Sequence, residues 1–399
     1  MQQQGPDLFD TLLRLHGAEV LGRNYVFVRL ARINIAGHVD YSEVSRILSR
    51  IRRRADWIPV WNGAADRHES LARAAEDAGH TVSAGDGYLR AALCSHWASL
   101  YAEGSAKSAA HRRCVELYGR GARWFEPPSE RVEIDFNGDA LPAYLRMPAS
   151  ADSLPVAVLI GGADTNKEEL HHWGTEFARR GMAVVAFDGP GQGELAGRYN
   201  RLVMRFDDFH RAVSAVVDWI ESRPELDASR VGVFGNSLGG YLALDAASRD
   251  ARLRAAVSNG GFSDARSLRS WPLPVVLGFA SCLGMSDVSD VRRYVEEHLD
   301  LHNTPRRSFP ALIVHGALDD LSTVEEARDT ARVVDGVLAV VDEGFHTCTN
   351  WDHLVAPLFV DWLSDRITSQ KNVGFKEFHL SDERDYASVL LDKEAEIRT

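Results

Sequence analysis

Three short stretches of the chain carry side chains able to act together in acyl transfer. The first, Ser229 to Ala247, reads SRVGVFGNSLGGYLALDAA. An apolar run (Val231, Val233, Phe234) gives way to Gly235-Asn236-Ser237-Leu238-Gly239-Gly240, then to the helix-favouring Tyr241-Leu242-Ala243-Leu244. Strand, sharp turn and helix with serine at the apex is the form of a nucleophile elbow, where small flanking residues permit a strained turn that lifts the hydroxyl. G-x-S-x-G alone is a weak signal; its strand–turn–helix setting makes it strong. A serine hydroxyl is a poor nucleophile at neutral pH and needs a base, usually His, oriented by a carboxylate. The strand-like Ala311-Leu312-Ile313-Val314-His315 leads into Gly316-Ala317-Leu318-Asp319-Asp320, which supplies the carboxylate. Asp319, three residues past the glycine, is favoured over Asp320, and one of the pair is expected to cap the helix that follows. Asp342-Glu343-Gly344-Phe345-His346 then places His346 after the last strand. The order Ser, Asp, His is met.

An oxyanion formed on attack by Ser237 needs two donors. One expected donor is the N–H of Leu238, at the start of the elbow helix, where the helix dipole adds to it. The other is the N–H of Ala163 or Gly162, in Gly161-Gly162-Ala163-Asp164 after the strand that begins at Pro155. The Asp188-Gly189-Pro190-Gly191-Gln192-Gly193 loop lacks G-x-G-x-x-G and Walker spacing and reads as loop architecture. His315 and His353 read as packing residues, and His171-His172 point different ways on a helix. No metal and no cofactor is expected.

These residues need a sheet edge to hold them. From Arg131 the pattern alternates strands and helices: Val132–Phe136, an Asn137-Gly138-Asp139 turn, Leu141–Met147, Pro155–Ile160, helix Lys167–Arg180, Met182–Phe187, helix Asp207–Ser222, Val231–Phe234, the elbow helix, Leu253–Ser258, Ala311–His315, helix Thr323–Val334, Val337–Val341 and helix Trp351–Ile367. This grammar predicts a doubly wound, mostly parallel sheet with helices on both faces. Residues 1–128 read as a helical domain, ended by Phe125-Glu126-Pro127-Pro128; 129–370 form the α/β domain, with 262–310 a second insertion. Both the helical domain and that insertion are expected to cover Ser237, since segments beyond the carboxyl ends of strands line the crevice of such sheets. Residues 371–399 read as a charged, weakly patterned tail.

The chain has 399 residues, 45% hydrophobic and 26% charged, which suits a globular protein of two domains. A formal net charge of −12 gives no basic footprint for nucleic acid, and no apolar run reaches membrane-spanning length. Scattered Cys94, Cys114, Cys282 and Cys348, with no C-x-x-C and no signal peptide ahead of them, fit a reducing cytoplasm.

Several motifs carry a resemblance. Gly161 to Glu169, the Asp188–Gly193 loop, the elbow, His346-Thr347-Cys348-Thr349-Asn350, Gly37-His38-Val39-Asp40-Tyr41 and Ser83 to Ala92 together resemble one α/β-hydrolase branch. That branch holds 2,6-dihydroxypseudooxynicotine hydrolase and the fungal polyketide-shortening hydrolases, and the likeness spans about Gly37 to Leu363. It implies an α/β-hydrolase core with a helical N-terminal cap domain, a homodimer, a small-molecule substrate, and Ser237, Asp319 and His346 as nucleophile, orienting acid and base. The activity implied is cleavage of a C–C bond next to a ketone in an aromatic or polyketide-like molecule of secondary metabolism. Some members use a further carboxylate, for which Asp264 is the nearest candidate here; Tyr88, Arg90 and Trp97, with His96, are candidates to line the pocket. Ester, lactone or thioester hydrolysis and acyl-transferring cyclisation would use the same triad. A non-catalytic receptor on the same fold would have no need of all three residues.

Overall fold

Apolar runs too long for a half-exposed strand can be buried only between two layers of helix, and the chain after residue 130 is built that way. The computed structural model describes residues 8–22, 30–102, 104–149, 153–196, 202–305, 307–369, 371, 374–381 and 383–391. Two units divide the chain, Met1–Ser129 and Glu130–Thr399.

The first unit is helical: α1 (Leu8–Gly22), α2 (Leu30–Ile35), α3 (Tyr41–Leu48), α4 (Arg54–Asp77), α5 (Thr81–Ser99) and α6 (Gly104–Gly121). Helix α5 is buried on nearly every face, as a helix with apolar or small residues all round must be. Gly87 lets it approach α4 closely, because a Cβ there would sit 2.8 Å from the Ala72 Cβ. Trp57, Trp61 and Trp97 pack at tilted angles at the centre, and the Trp57 Nε1–H donates to the Trp97 carbonyl at 2.7 Å.

The second unit is a nine-stranded sheet of order β1-β2-β4-β3-β5-β6-β7-β8-β9. Its strands are β1 (Ser129–Phe136), β2 (Asp139–Arg146), β3 (Leu154–Ile160), β4 (Ala183–Phe187), β5 (Leu226–Asn236), β6 (Leu253–Asn259), β7 (Ala311–Gly316), β8 (Val337–Val341) and β9 (Lys376–Leu380). Asn137 and Gly138 both take positive φ, 56° and 80°, as a two-residue hairpin turn requires. Antiparallel β2 pairs with β4, and β4 through β9 are parallel. The helices are α7 (His171–Arg179), α8 (Phe209–Glu221), α9 (Leu238–Arg249), α10 (Leu273–Leu283), α11 (Val288–His298), α12 (Val324–Val333), α13 (Asp352–Ser369) and α14 (Glu383–Leu391). The doubly wound, mostly parallel sheet expected from the pattern is present.

Three local differences from the sequence reading have physical causes. Helix α7 starts at His171 rather than Lys167, because the residues before it close i→i+3 turns instead, Glu169 N–H to the Asn166 carbonyl and His171 N–H to the Glu168 carbonyl, both at 3.2 Å. Helix α12 is capped by Thr323 in a reciprocal pair with Glu326, so neither Asp319 nor Asp320 is its cap. Within the segment 371–399, Lys376–Leu380 adds a ninth strand beside β8 and Glu383–Leu391 is helical. Phe378 and Leu380 point inward from that strand while Glu377 bonds Arg328 through both oxygens at 2.7 Å.

Candidate active site

Parallel strands deliver their following loops to one edge, and the site stands on the loops after β3, β5, β7 and β8. Ser237 lies between β5 and α9 with φ 57° and ψ −123°, a conformation costing a non-glycine residue about 1–3 kcal/mol. Its surroundings hold it there. The Ser237 N–H donates to the Asn259 carbonyl at 2.8 Å, and its own carbonyl accepts from Gly240 N–H at 2.8 Å. Glycine is obligatory on both sides: a Cβ on Gly235 would lie 1.8 Å from the Gly239 oxygen, and one on Gly239 would lie 2.3 Å from the Ile160 oxygen.

His346 joins the three side chains. Its Nε2 is 2.8 Å from the Ser237 Oγ and its Nδ1 is 2.7 Å from Asp319 Oδ2. Asp319 is fully buried, and its Oδ1 accepts the Leu321 N–H at 2.8 Å. Burial works to raise the Asp319 carboxyl, but the charge and hydrogen bond of His346, with His315 and the Leu321 N–H, hold it below the ordinary range. An anionic Asp319 fixes the proton of the imidazole on Nδ1 and leaves Nε2 to accept from the serine. His346 opens an irregular turn in which Thr347 and Cys348 both take positive φ, 60° and 51°.

Asn259, which sequence reasoning did not single out, ties two of these loops together. It is buried at the end of β6; its carbonyl holds Ser237, and its Nδ2 donates to the Thr347 carbonyl at 3.0 Å and to Asn236 Oδ1 at 3.2 Å. An Asn directly after an apolar strand paired with the elbow strand was the available signal.

The expected oxyanion donors are close by. Leu238 is the first residue of α9, whose opening N–H groups have no partner within the helix. A Cβ on Gly162 would lie 3.1 Å from the Ser237 Cβ, so the Gly161–Ala163 loop runs beside Ser237. The insertion 262–310 bonds to the loops on both sides of it. The Cys282 Sγ of α10 donates to the Ala163 carbonyl at 3.1 Å, and the Trp271 Nε1–H donates to the Leu321 carbonyl at 2.6 Å, just past Asp319.

Over 342 residues the chain is 32% identical to the 2,6-dihydropseudooxynicotine hydrolase of Paenarthrobacter nicotinovorans, covering 84% of this chain and 91% of that one. The chain is a member of that α/β-hydrolase family. The crystal structure of 2,6-dihydroxy-pseudo-oxynicotine hydrolase matches at a TM-score of 0.78 with 30% identity, over 86% of this hydrolase and 97% of that chain. The solved structure of AbyA5 shares the fold, with a TM-score of 0.64 and 23% identity over 84% of this chain and 91% of that one. The 20-hydroxy-prefusarin hydrolase of Gibberella moniliformis is 34% identical over 261 residues, 60% of each chain, so this hydrolase spans only about 60% of that relative's length. Residues 137–275 also match the X-Pro dipeptidyl-peptidase (S15 family) model.

The other sequence-predicted residues of the hydrolase have structural partners of their own. Asp264 accepts from the Arg266 backbone at 2.8 Å and its Nε at 2.9 Å, beside His302 and Asp329; none of these bonds reaches Ser237, Asp319 or His346. In the first unit, the Tyr88 hydroxyl donates to Glu76 Oε2 at 2.5 Å; burial, then that bond, push the phenol up to about 12. Arg90 donates to the His38 carbonyl at 3.2 Å, and Trp97 is buried in the tryptophan cluster with Arg32 over its ring. His172 bonds Asp352 at 2.8 Å, His353 stacks on Trp351, and His315 is buried 4.0 Å from Asp319. Among the described residues no helix is long and apolar enough to cross a membrane.

Proposed function

We propose that the chain is a cofactor-independent serine hydrolase that cleaves a C–C bond next to a ketone in an aromatic or polyketide-like small molecule. One observation carries the reading: an unbroken hydrogen-bonded chain from Ser237 through His346 to a buried, anionic Asp319. Ser237 Oγ attacks the ketone carbon as His346 Nε2 takes its proton. The tetrahedral oxyanion is held by the N–H of Leu238 and that of Gly162 or Ala163. Collapse breaks the C–C bond, and the departing carbanion, delocalised into an adjacent carbonyl or ring, takes the proton from His346. Water, deprotonated by His346, then attacks the acyl-Ser237 ester and releases a carboxylic acid. The family resemblance supports this bond type, and the relatives' names support hydrolysis.

A second reading, hydrolysis of an ester, lactone or other acyl bond, is favoured by the peptidase-family match over residues 137–275. It differs only in the leaving atom, which would be a heteroatom. Both are tested by incubating the purified protein with acyl-phenol and ester panels and identifying the products by mass spectrometry, with Ser237→Ala alongside. Loss of turnover in the variant, by about a thousandfold or more, is expected. Undiminished turnover in Ser237→Ala overturns both readings.

A further inference from the structure

The loop Asp188–Gly193 has a purpose that its sequence does not announce. Gln192 is buried, and its Nε2 donates to the Gly161 carbonyl at 2.6 Å and lies 3.3 Å from the Gly162 carbonyl. Its Oε1 accepts the Gly189 N–H at 3.3 Å, which fixes the amide with its donor end toward the glycines. In a trans peptide the carbonyl and the following N–H point in opposite directions. Holding the Gly161 and Gly162 carbonyls toward Gln192 therefore turns the Gly162 and Ala163 N–H groups away from it. The Ser237 side chain lies against Gly162, and the next carbonyl, that of Ala163, is held separately by the Cys282 thiol.

The loop that presents Gln192 is itself fixed. The Asp188 carboxylate accepts from the Lys167 N–H at 2.9 Å, from Lys167 Nζ at 2.9 Å and from the Glu194 N–H at 3.0 Å. Lys167 Nζ, fully buried, also meets Glu194 at 2.5 Å and Glu168 at 2.9 Å, and Arg131 reaches Glu194 from β1 at 2.7 Å. Burial works against the Lys167 charge, but Asp188 and the glutamates outweigh it and hold it cationic. Breaking such a buried pair costs far more than forming it gains, so the two loops are set in one relative position. Gly193 is required here, since a Cβ would fall 2.1 Å from the Asp188 carboxylate.

We infer that Gln192 is a positioning residue that aims the second oxyanion donor, by fixing the peptide planes of Gly161-Gly162 and Gly162-Ala163. This rests on the serine-hydrolase reading, because an oxyanion site has meaning only if Ser237 attacks a carbonyl. Gln192→Glu keeps the size and the acceptor but places a carboxylate against two carbonyl oxygens; Gln192→Met removes the donor without charge.

Wild type and both variants are compared by hydrolysis of 4-nitrophenyl acetate, by the rate at which a fluorophosphonate labels Ser237, and by the affinity of phenylboronic acid, whose tetrahedral adduct occupies the oxyanion site. Thermal unfolding reports the fold. Both variants are expected to lose about ten- to a hundredfold in kcat, less than the loss on deleting a donor outright. Boronate affinity should fall in parallel, with KM changed by less than about threefold. A loosened scaffold without this role would lower the melting temperature without that parallel. Wild-type reactivity with either folded variant unchanged overturns the role of Gln192 alone. A wild-type protein inert to both the ester and the fluorophosphonate overturns the serine-hydrolase reading, and this inference with it.

Discussion

At the scale of residues, the site depends on charge held where water cannot reach. Asp319→Asn would keep the shape but present an amide to His346 Nδ1, favouring the wrong tautomer; kcat is expected to fall about a thousandfold or more with folding intact, measured on the same ester panel. Asn259→Leu would leave the Thr347 carbonyl and Asn236 Oδ1 without their shared donor, at about 1–3 kcal/mol of stability by urea unfolding, and would slow fluorophosphonate labelling of Ser237. Two buried titratable groups, Asp319 and its neighbour His315, each add a pH dependence of known sign. Asp319 has a depressed folded pKa, so its stabilising share is complete above the unfolded value of about 3.9 and is lost as pH falls through the lower folded value. His315 has its pKa lowered by burial, against the pull of Asp319. Below about pH 6.5 the unfolded chain therefore takes a proton that folded His315 refuses, and stability declines toward the lower folded pKa. Urea titrations from pH 7.5 to 5.5 should show that decline in wild type and a flatter one in His315→Gln; identical slopes would remove His315 from the account.

At the scale of elements, the strands that carry the site were legible because they are buried on both faces. β3, β4 and β8 are unbroken apolar runs, β7 is apolar up to His315, and Val337–Val341 ends where the sequence places it. β5 begins earlier than its apolar core suggests: Asp227, Ser229 and Arg230 are polar, and the strand is extended there by pairing past the bulge at Leu154. β9 is short and charged, and its inward Phe378 and Leu380 are too few to stand out from a solvated segment. The turn before α7 was hidden for another reason, since Lys167–Leu170 favour a helix locally but close i→i+3 turns around a lysine anchored by a carboxylate 21 residues on. Gln192 was equally hidden, because its partners are backbone carbonyls, which no side-chain motif records. Glycine spacing at the elbow was the most legible feature and has the sharpest consequence. Gly235→Ala forces a Cβ into backbone at 1.8 Å and is expected to cost about 3 kcal/mol or more, whereas Gly138→Ala, strained only in φ with open space around it, should cost about 1–2 kcal/mol. Equal losses for the two in urea unfolding would refute the packing account of the elbow.

At the scale of the whole molecule, two separate cores set how the chain comes apart. The unit Met1–Ser129 centres on Trp57, Trp61 and Trp97, and the unit Glu130–Thr399 centres on the sheet and the faces of α9 and α13. Each core is built from residues of its own unit, so a cavity in one withdraws packing from that unit directly. Trp61→Ala removes a fully buried indole from the first core and should cost about 3–5 kcal/mol there. Leu380→Ala, buried on β9, should cost about 2–5 kcal/mol in the second. Differential scanning calorimetry is expected to resolve two overlapping transitions in wild type, with Trp61→Ala lowering one and Leu380→Ala the other. Loss of fluorophosphonate labelling on heating should follow the transition that Leu380→Ala moves, since Ser237, Asp319 and His346 all belong to the second unit. A single transition displaced alike by both substitutions would mean that the units unfold as one, and would overturn the expectation of two.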